Sequence, residues 1–478
     1  MIETREIEQE TAFQRKTTLT GVAQEGAPKV AVHTLGCKLN YAETSTIQQQ
    51  FLSRGFELAD TPSAANVFIL NTCSVTENAE KECRQLIRRI LRSSPETFIA
   101  VTGCYAQLRP EEIASIEGVD VVLGAKEKFE IFDRITSFQK FDTPQIFSEE
   151  IGEAKDFHVA TTSVGDERTR AFLKVQDGCD YSCSFCTIPK ARGESRSASV
   201  ESILAEARRL SAEGFREIVL SGVNVGDFGR KIGTDFYTLV RVIEEDEKVT
   251  ARLRISSIEP NLLTEEIIDL IAQSKKFCPH FHIPLQSGSA KILRLMQRRY
   301  KRELYQSRVE YIRSKMPDAA IGVDVIVGFP GETDQEFEET YQFLHGLDIT
   351  YLHVFTYSER PGTKASIMEG SVNIPARKER NKLLRILSEK KKHAFYQSQI
   401  GREVEVLVEG HGIGCAGTVQ DTIEGYSENY VRVQFDANLP SNVETARVKL
   451  NGIYGGVMKG ELLNYTMLTT RNTLLPIL

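Results

Sequence analysis

Between residues 29 and 137 short apolar runs alternate with amphipathic stretches. Residues 29–34, 66–71, 97–102 and 120–123 are apolar or β-branched runs of strand length, and 41–54, 77–92, 110–116 and 126–135 carry helical character. That alternation predicts a parallel sheet with helices on its faces. Residues 138–168 are polar and irregular, and a linker is expected there. The alternation resumes with strand candidates at 171–176, 217–221, 252–257, 281–285, 321–327 and 351–355. Six strands with intervening helices suit a partial or open β/α barrel. A long basic helix is expected over 375–393. From residue 400 the pattern becomes short strand candidates, at 403–408, 418–420, 430–434, 446–450 and 462–465, separated by Gly and Asn. This predicts a small antiparallel β-barrel. The expected fold is therefore α/β with four parts: a flexible tail (1–28), an N-terminal parallel α/β domain (29–140), a partial (β/α)6 barrel (165–397) and a C-terminal β-barrel (399–467).

Composition narrows the class. The chain has 478 residues, 41% hydrophobic and 26% charged, which excludes a wholly disordered or collagen-like protein. Its net charge of −7 excludes a strongly basic nucleic-acid binder on global charge, though not a local basic face. No apolar run approaches the roughly 20 residues a membrane helix needs. The first 28 residues mix charges and lack the apolar core of a secretory signal, so a cytoplasmic protein is expected, with no membrane association.

Positive charge is nevertheless clustered. Residues 289–302 hold six cations and no acid, at Lys291, Arg294, Arg298, Arg299, Lys301 and Arg302. Residues 375–393 hold eight basic and two acidic side chains. Arg84, Arg88, Arg89 and Arg92 recur at helical spacing, and Lys190, Arg192 and Arg196 form a further group. A charge run is most often a solvated face, but several in an acidic chain suggest phosphate contacts. Residues 399–467, by contrast, carry five basic and nine acidic residues.

Nine cysteines, an odd number in a large chain of this kind, argue against a disulfide framework and for metal or catalysis. Gly178-Cys179-Asp-Tyr-Ser-Cys183-Ser-Phe-Cys186 has the spacing C-x3-C-x2-C directly after a predicted strand. Three such thiolates hold three irons of a cubane cluster and leave the fourth iron open to a small molecule. The alternative is a zinc site completed by a distant residue. Cys37, Cys73 and Cys104 each lie one to three residues beyond a predicted strand of the first domain. In a parallel sheet those strand ends share one edge, so the three either converge on a second cluster or are buried structural cysteines. Cys83, Cys278 and Cys415 have no such placement and read as free thiols. Gly412-Ile-Gly-Cys-Ala-Gly417 matches the dinucleotide pattern in letters only, because no helix follows it.

At these residues the chain resembles the radical S-adenosylmethionine superfamily, whose signature C-x3-C-x-Φ-C has an aromatic Φ, here Phe185. Thr34-Leu-Gly-Cys-Lys-Leu-Asn40, Asn71-Thr-Cys73, Thr102-Gly-Cys104, the segment from Cys186 to Ser197, His282-Ile-Pro-Leu-Gln-Ser-Gly288 and Asp324-Val-Ile-Val-Gly-Phe-Pro-Gly-Glu-Thr333 resemble its methylthiotransferase family, over about residues 29–466. Leu-Gly-Cys-Lys-Leu-Asn is similar to the branch acting on N6-threonylcarbamoyladenosine of tRNA. Other branches act on isopentenyladenosine or a ribosomal protein. The resemblance implies a C-terminal TRAM domain and two [4Fe-4S] clusters, one on Cys37, Cys73 and Cys104 and one on Cys179, Cys183 and Cys186.

The resemblance also implies S-adenosylmethionine as cofactor, bound at the second cluster and split there to a 5′-deoxyadenosyl radical, with the sulfur carried on the first cluster. Such chemistry needs no acid–base side-chain constellation. Phe185, with Gly222, Asn224, Ser256, Ser257 and Gln286 at the ends of successive barrel strands, are the candidate cofactor contacts. The expected partners are tRNA and an unidentified electron donor, and the expected state is a monomer. Aromatic Tyr426, Tyr430 and Phe435 are candidates for stacking on RNA in the acidic C-terminal domain. A reading of a different class is a non-catalytic RNA-binding protein whose cysteines hold zinc.

Overall fold

The structure, a computed structural model, describes residues 26–73, 77–151, 157–162, 169–412, 422–437, 439–440 and 443–467, the side chains of 77–79 and 410–412 excepted. Most of the expected tail, the strand expected at 418–420 and Cys415 lie outside the described residues.

The N-terminal sheet contains β1 (Lys29–Thr34), β2 (Glu57–Leu58), β3 (Val67–Thr72), β4 (Phe98–Gly103), β5 (Val121–Leu123) and β6 (Gln145–Phe147), in the order β2-β1-β3-β4-β5-β6, with every neighbouring pair parallel. β3 and β4 are buried at every residue. Alternate residues feed two cores. Phe68, Leu70, Ile99 and Val101 meet Cys83, Ile87 and Ile90 of helix Glu77–Ser93 on one face. Val67, Ile69, Phe98 and Ala100 meet Ile47 and Phe51 of helix Lys38–Leu52 on the other. Burial on both faces is why these strands read as continuous apolar runs. β6 corrects the linker expectation: residues 145–147 join the sheet. They sit at its edge and are largely exposed, so no apolar pattern marks them.

The central unit contains β7 (Arg170–Lys174), β8 (Gln176–Asp177), β9 (Arg196–Ser197), β10 (Glu217–Ser221), β11 (Arg252–Ile255), β12 (His280–His282), β13 (Ala320–Val327) and β14 (Tyr351–Thr356). Two parallel three-stranded sheets, β11-β10-β7 and β12-β13-β14, are joined by the parallel bridges Leu253↔Phe277 and Ser257↔His282 into an open six-strand wall. β8 and β9 form a short antiparallel pair flanking the cysteine loop. Helix Ile374–Ser398 then leads to β15 (Glu403–Gly412), β16 (Thr422–Ser427), β17 (Arg432–Asp436), β18 (Val443–Tyr454) and β19 (Val457–Met467). These close as β15-β16-β17-β19-β18, antiparallel throughout except for β17 with β19.

The small barrel caps the N-terminal end of the larger one through buried charge. Glu217, at the start of β10, accepts from Arg252 (2.7 Å) and Arg254 (2.9 Å) and is ion-paired with Arg170 (3.2 Å). Burial opposes its charge, but Arg254, Arg252 and Arg170 outweigh that and hold its carboxyl well below the usual range. The arginines continue into the small barrel. Arg170 pairs with Glu409, Arg252 donates to Tyr426 O at 3.0 Å, and Arg254 donates to Glu428 O at 3.1 Å. Arg254 also lies 5.0 Å from the Tyr430 ring, which stacks on His280 at 4.5 Å.

This corrects the stacking expectation. Tyr426 and Tyr430 are held against the arginines of the neighbouring barrel, and Phe435 is buried in the small barrel's own core. Removing one partner of a buried ion pair costs about 3–5 kcal/mol, whereas an exposed pair contributes about 1 kcal/mol or less. Glu217→Ala should therefore lower the thermal unfolding midpoint strongly, while Arg447→Ala, which breaks the exposed pair with Glu403, should leave it nearly unchanged. Differential scanning calorimetry of the two variants checks this.

Candidate active site

Cys37 follows β1 by three residues, and Cys73 and Cys104 directly follow β3 and β4. The strand ends are in register, with Thr34 opposite Asn71 and Thr72 opposite Gly103, so the three loops share one sheet edge. Two glycines let them abut. At Gly36 (φ +114°) a Cβ would lie 2.6 Å from Cys73 Cβ, and at Gly103 (φ +99°) it would lie 2.3 Å from Thr72 O. Any side chain at either position would part the loops. Asn40 Nδ2 donates to Leu35 O (3.1 Å) and Thr72 O (3.0 Å), and Asn71 Nδ2 donates to Asn40 O (2.9 Å). Cys104 is buried, which pushes its thiol pKa up, and the charge of Cys37 adds to that rise.

The second triad hangs on the loop after β8. Gly178 (φ +70°) has no room for a Cβ, which would fall 2.0 Å from Glu194 O. Gln176 Nε2 donates to Gly178 O (2.8 Å) and Ser195 Oγ (3.0 Å), and Gln176 Oε1 accepts from Asn224 N (2.9 Å). One carboxamide thus ties the cysteine loop to the loop after β10. Each sulfur accepts one hydrogen bond: Cys179 Sγ from Tyr181 N (3.4 Å), Cys186 Sγ from Ile188 N (3.4 Å) and Cys183 Sγ from Arg298 Nη1 (3.0 Å). Burial pushes the Cys179 and Cys186 thiols up to about 12 and raises Cys183 as well. Thiols with raised pKa are poor free nucleophiles, and sulfurs that each accept a hydrogen bond from the chain are suited to serve as metal thiolates.

A buried charge network joins the triads. Glu43, from the helix that starts after Cys37, accepts from Lys174 (3.1 Å) and Arg192 (3.1 Å) and is ion-paired with Lys128 (2.5 Å). Arg192, six residues after Cys186, also donates to Asn40 Oδ1 (2.6 Å) and Asp177 Oδ1 (2.9 Å).

The barrel lumen holds a further polar cluster. Ser257 Oγ and His282 Nδ1 are 2.8 Å apart, and Asp324 Oδ1 lies 2.7 Å from His282 Nε2 and 3.2 Å from His353 Nδ1. Burial opposes the Asp324 charge, but His282 and His353 outweigh it and hold the carboxyl well below its usual range. Asn224 Nδ2 and Ser256 Oγ are buried and without a hydrogen-bond partner among the described residues. A Cβ on Gly222 would lie 2.9 Å from Gln176 Oε1. Gln286 holds φ +68°, rare for a side chain other than glycine, and its backbone bridges Val325. Phe185 packs edge-on to Phe329 at 6.4 Å.

Comparison with known proteins bears on what this arrangement does. Residues 173–344 match the Radical SAM superfamily, and residues 29–124 match the uncharacterised protein family UPF0004. The chain is 38% identical to a threonylcarbamoyladenosine tRNA methylthiotransferase of Aquifex aeolicus, over 84% of this chain and 98% of that one. It is also 38% identical to the Bacillus subtilis protein of the same description, over 88% and 93%. The chain belongs to the radical S-adenosylmethionine tRNA methylthiotransferase family. A tRNA-2-methylthio-N(6)-dimethylallyladenosine synthase of Geobacillus kaustophilus is 31% identical over 91% of this chain and 82% of that one. The structure of a radical S-adenosylmethionine methyltransferase from Kitasatospora setae shares the fold, with a TM-score of 0.55 at 16% identity, over 71% of this chain and 75% of that one.

Cofactors of this methylthiotransferase are two [4Fe-4S] clusters and S-adenosylmethionine. Both triads fit a cluster by their donor sets, and the unpartnered Asn224 Nδ2 and Ser256 Oγ fit contacts to a polar ligand.

The structure also sorts the basic residues. Arg298, expected to meet phosphate, is instead almost wholly buried, donating to Cys183 and paired with Glu259. Arg377 and Arg380 are buried against Glu359 and Glu332, and Arg192 and Arg196 belong to the internal network. The roles of Gln176, Glu43, Glu259 and Arg298 are not visible in the sequence, and nothing in their local spacing marks them. Asp324 is legible in principle, as a lone acid inside the apolar run of β13.

Gly36→Ala should split the Cys37 loop from Cys73 and lower iron after anaerobic reconstitution from about eight to about four atoms per chain. Iron assay with absorption spectroscopy checks this.

Proposed function

We propose that this methylthiotransferase installs a methylthio group on C2 of N6-threonylcarbamoyladenosine next to the anticodon of tRNA. The observation that supports it is structural: two cysteine triads stand on different domains, and the Glu43 network ties those domains together. The relatives described as acting on threonylcarbamoyladenosine are the more similar ones, at 38% against 31% identity. Cys179, Cys183 and Cys186 hold the cluster that binds S-adenosylmethionine, and Cys37, Cys73 and Cys104 hold the auxiliary cluster. Phe185, Gly222, Asn224, Ser256, Ser257 and Gln286 surround the S-adenosylmethionine.

When bound, these groups supply a carbon radical able to break an unactivated C–H bond and a sulfur for transfer. The chain's own residues place and shield that chemistry. Arg298 donates to the Cys183 sulfur and is fixed by Glu259. Asn224 and Ser256 offer buried polar atoms to the cofactor. The small barrel closes the far end of the lumen, its Tyr430 packed against Arg254 of β11, keeping water from that side.

The tRNA backbone lies along a groove between helix Ile374–Ser398 and the β18–β19 hairpin, lined by Lys378, Lys382, Arg385, Lys390 and Lys392 with Ile453. The protein acts in the cytoplasm as a monomer and takes electrons from a separate donor. None of its described helices is long and apolar enough to cross a membrane.

Mass spectrometry of tRNA nucleosides from cells lacking the gene should show loss of the 2-methylthio nucleoside and accumulation of N6-threonylcarbamoyladenosine. An unchanged threonylcarbamoyladenosine pool with altered isopentenyladenosine would assign the other branch. Neutralising Lys382, Arg385 and Lys390 together should weaken tRNA binding and flatten its salt dependence, by a log–log slope of about 1 for each phosphate no longer neutralised. Filter binding across a salt series measures both.

A further inference from the structure

Lys38 directly follows Cys37 and opens the helix that carries Glu43. Its side chain is exposed, and its charge interacts with Arg170, Arg254, Glu217 and Asp324 of the barrel. It therefore projects from the N-terminal domain toward the lumen. No hydrogen bond or ion pair reaches its ammonium among the described residues.

The neighbouring charges differ in this respect. Glu217 is shared by three arginines and Asp324 by two histidines. An unpaired ammonium beside a cysteine of the site is a ready receptor for an anion.

The substrate base brings one. A threonylcarbamoyl group ends in the free carboxylate of threonine. It hangs on N6, and N6 and C2 lie on the same edge of adenine. A base that turns its C2 toward the Cys37 loop therefore brings its N6 substituent close to residue 38. Lysine's flexible four-carbon stem can follow a substituent of that length. We propose that Lys38 binds the threonyl carboxylate of the substrate base, and so selects this base over adenosines whose N6 substituent is uncharged. The inference rests on the substrate reading above.

The test compares two anticodon stem-loop RNAs on the anaerobically reconstituted full-length protein. One carries N6-threonylcarbamoyladenosine, and the other carries the same base with its threonine carboxyl converted to the primary amide. The wild type should bind the acid more tightly by about ten- to a hundredfold, the worth of one charged hydrogen bond. Lys38→Ala should bind both RNAs with the affinity the wild type has for the amide. Lys38→Arg should keep the preference, and Lys38→Glu should reverse it. Iron content, measured on each variant, separates a missing carboxylate partner from a displaced Cys37.

Equal binding of acid and amide by the wild type overturns the proposal with no variant needed, and so does an undiminished preference in Lys38→Ala. The substrate reading fails separately: a wild type that methylthiolates an isopentenyladenosine stem-loop and leaves the threonylcarbamoyl one untouched refutes that reading. A wild type that modifies the threonylcarbamoyl RNA while ignoring its carboxylate refutes only the role of Lys38.

Discussion

A single buried carboxylate, Glu43, pairs with Lys128 of its own domain and accepts from Lys174 and Arg192 of the barrel, and through these two the N-terminal sheet is bound to the barrel. Lys174 ends the first barrel strand, and Arg192 lies just past the radical-SAM cysteine loop. The carboxylate itself lies two turns into the helix that begins after Cys37. The relative placement of the two triads therefore depends on one acid. Burial opposes its charge, yet Arg192, Lys128 and Lys174 outweigh that and keep it ionised. Taking it away would leave Lys128 without a carboxylate and Lys174 and Arg192 with Asp177 alone, so the join is costly to break.

The same network has a surplus of positive charge. Lys128, Lys174, Arg192 and Arg196 face Glu43 and Asp177, four cations against two carboxylates. The charges of Cys104 and Cys37 both act on Arg192. Thiolates at those positions supply the negative charge that the network lacks. Sequestered charge wants a nearby counter-charge, so the protein part reads as built around anionic sulfur ligands. The far end of the lumen uses the opposite balance, with Glu217 shared among three arginines whose remaining donors reach the small barrel. One end of the barrel is thus completed by another domain and the other end by ligands.

What could be seen in the sequence was what depends on local pattern. The apolar runs of β3 and β4 gave a parallel sheet because both of its faces are buried, and a parallel sheet places Cys37, Cys73 and Cys104 on one edge whatever their separation in the chain. The spacing of Cys179, Cys183 and Cys186 sits in a single loop. Residues 145–147 were missed because an exposed edge strand needs no apolar pattern. Tyr426 and Tyr430 were misread because an aromatic residue that docks a domain and one that stacks on a base look alike in one dimension. The link from Arg192 to Glu43 spans 149 residues, and the one from Arg298 to Cys183 spans 115. No periodicity reports contacts of that range.

The basic runs divide by chemistry. In helix Ile374–Ser398, Arg377 and Arg380 are buried on carboxylates, while Lys378, Lys382 and Lys390 are exposed. In the run before it, Arg298 is internal, whereas Arg294 and Lys301 stay at the surface. A planar guanidinium forms several directed hydrogen bonds and is less strongly hydrated, so it tolerates burial; an ammonium keeps its water. A run of mixed Arg and Lys is therefore two things at once, an internal brace and an outer charged face. That reconciles a net charge of −7 with binding to a polyanion. The exposed cations of helix Ile374–Ser398 are mostly lysines, gathered beside the small barrel, where Glu409 and Glu444 are engaged by Arg170 and Arg216 of the neighbouring barrel.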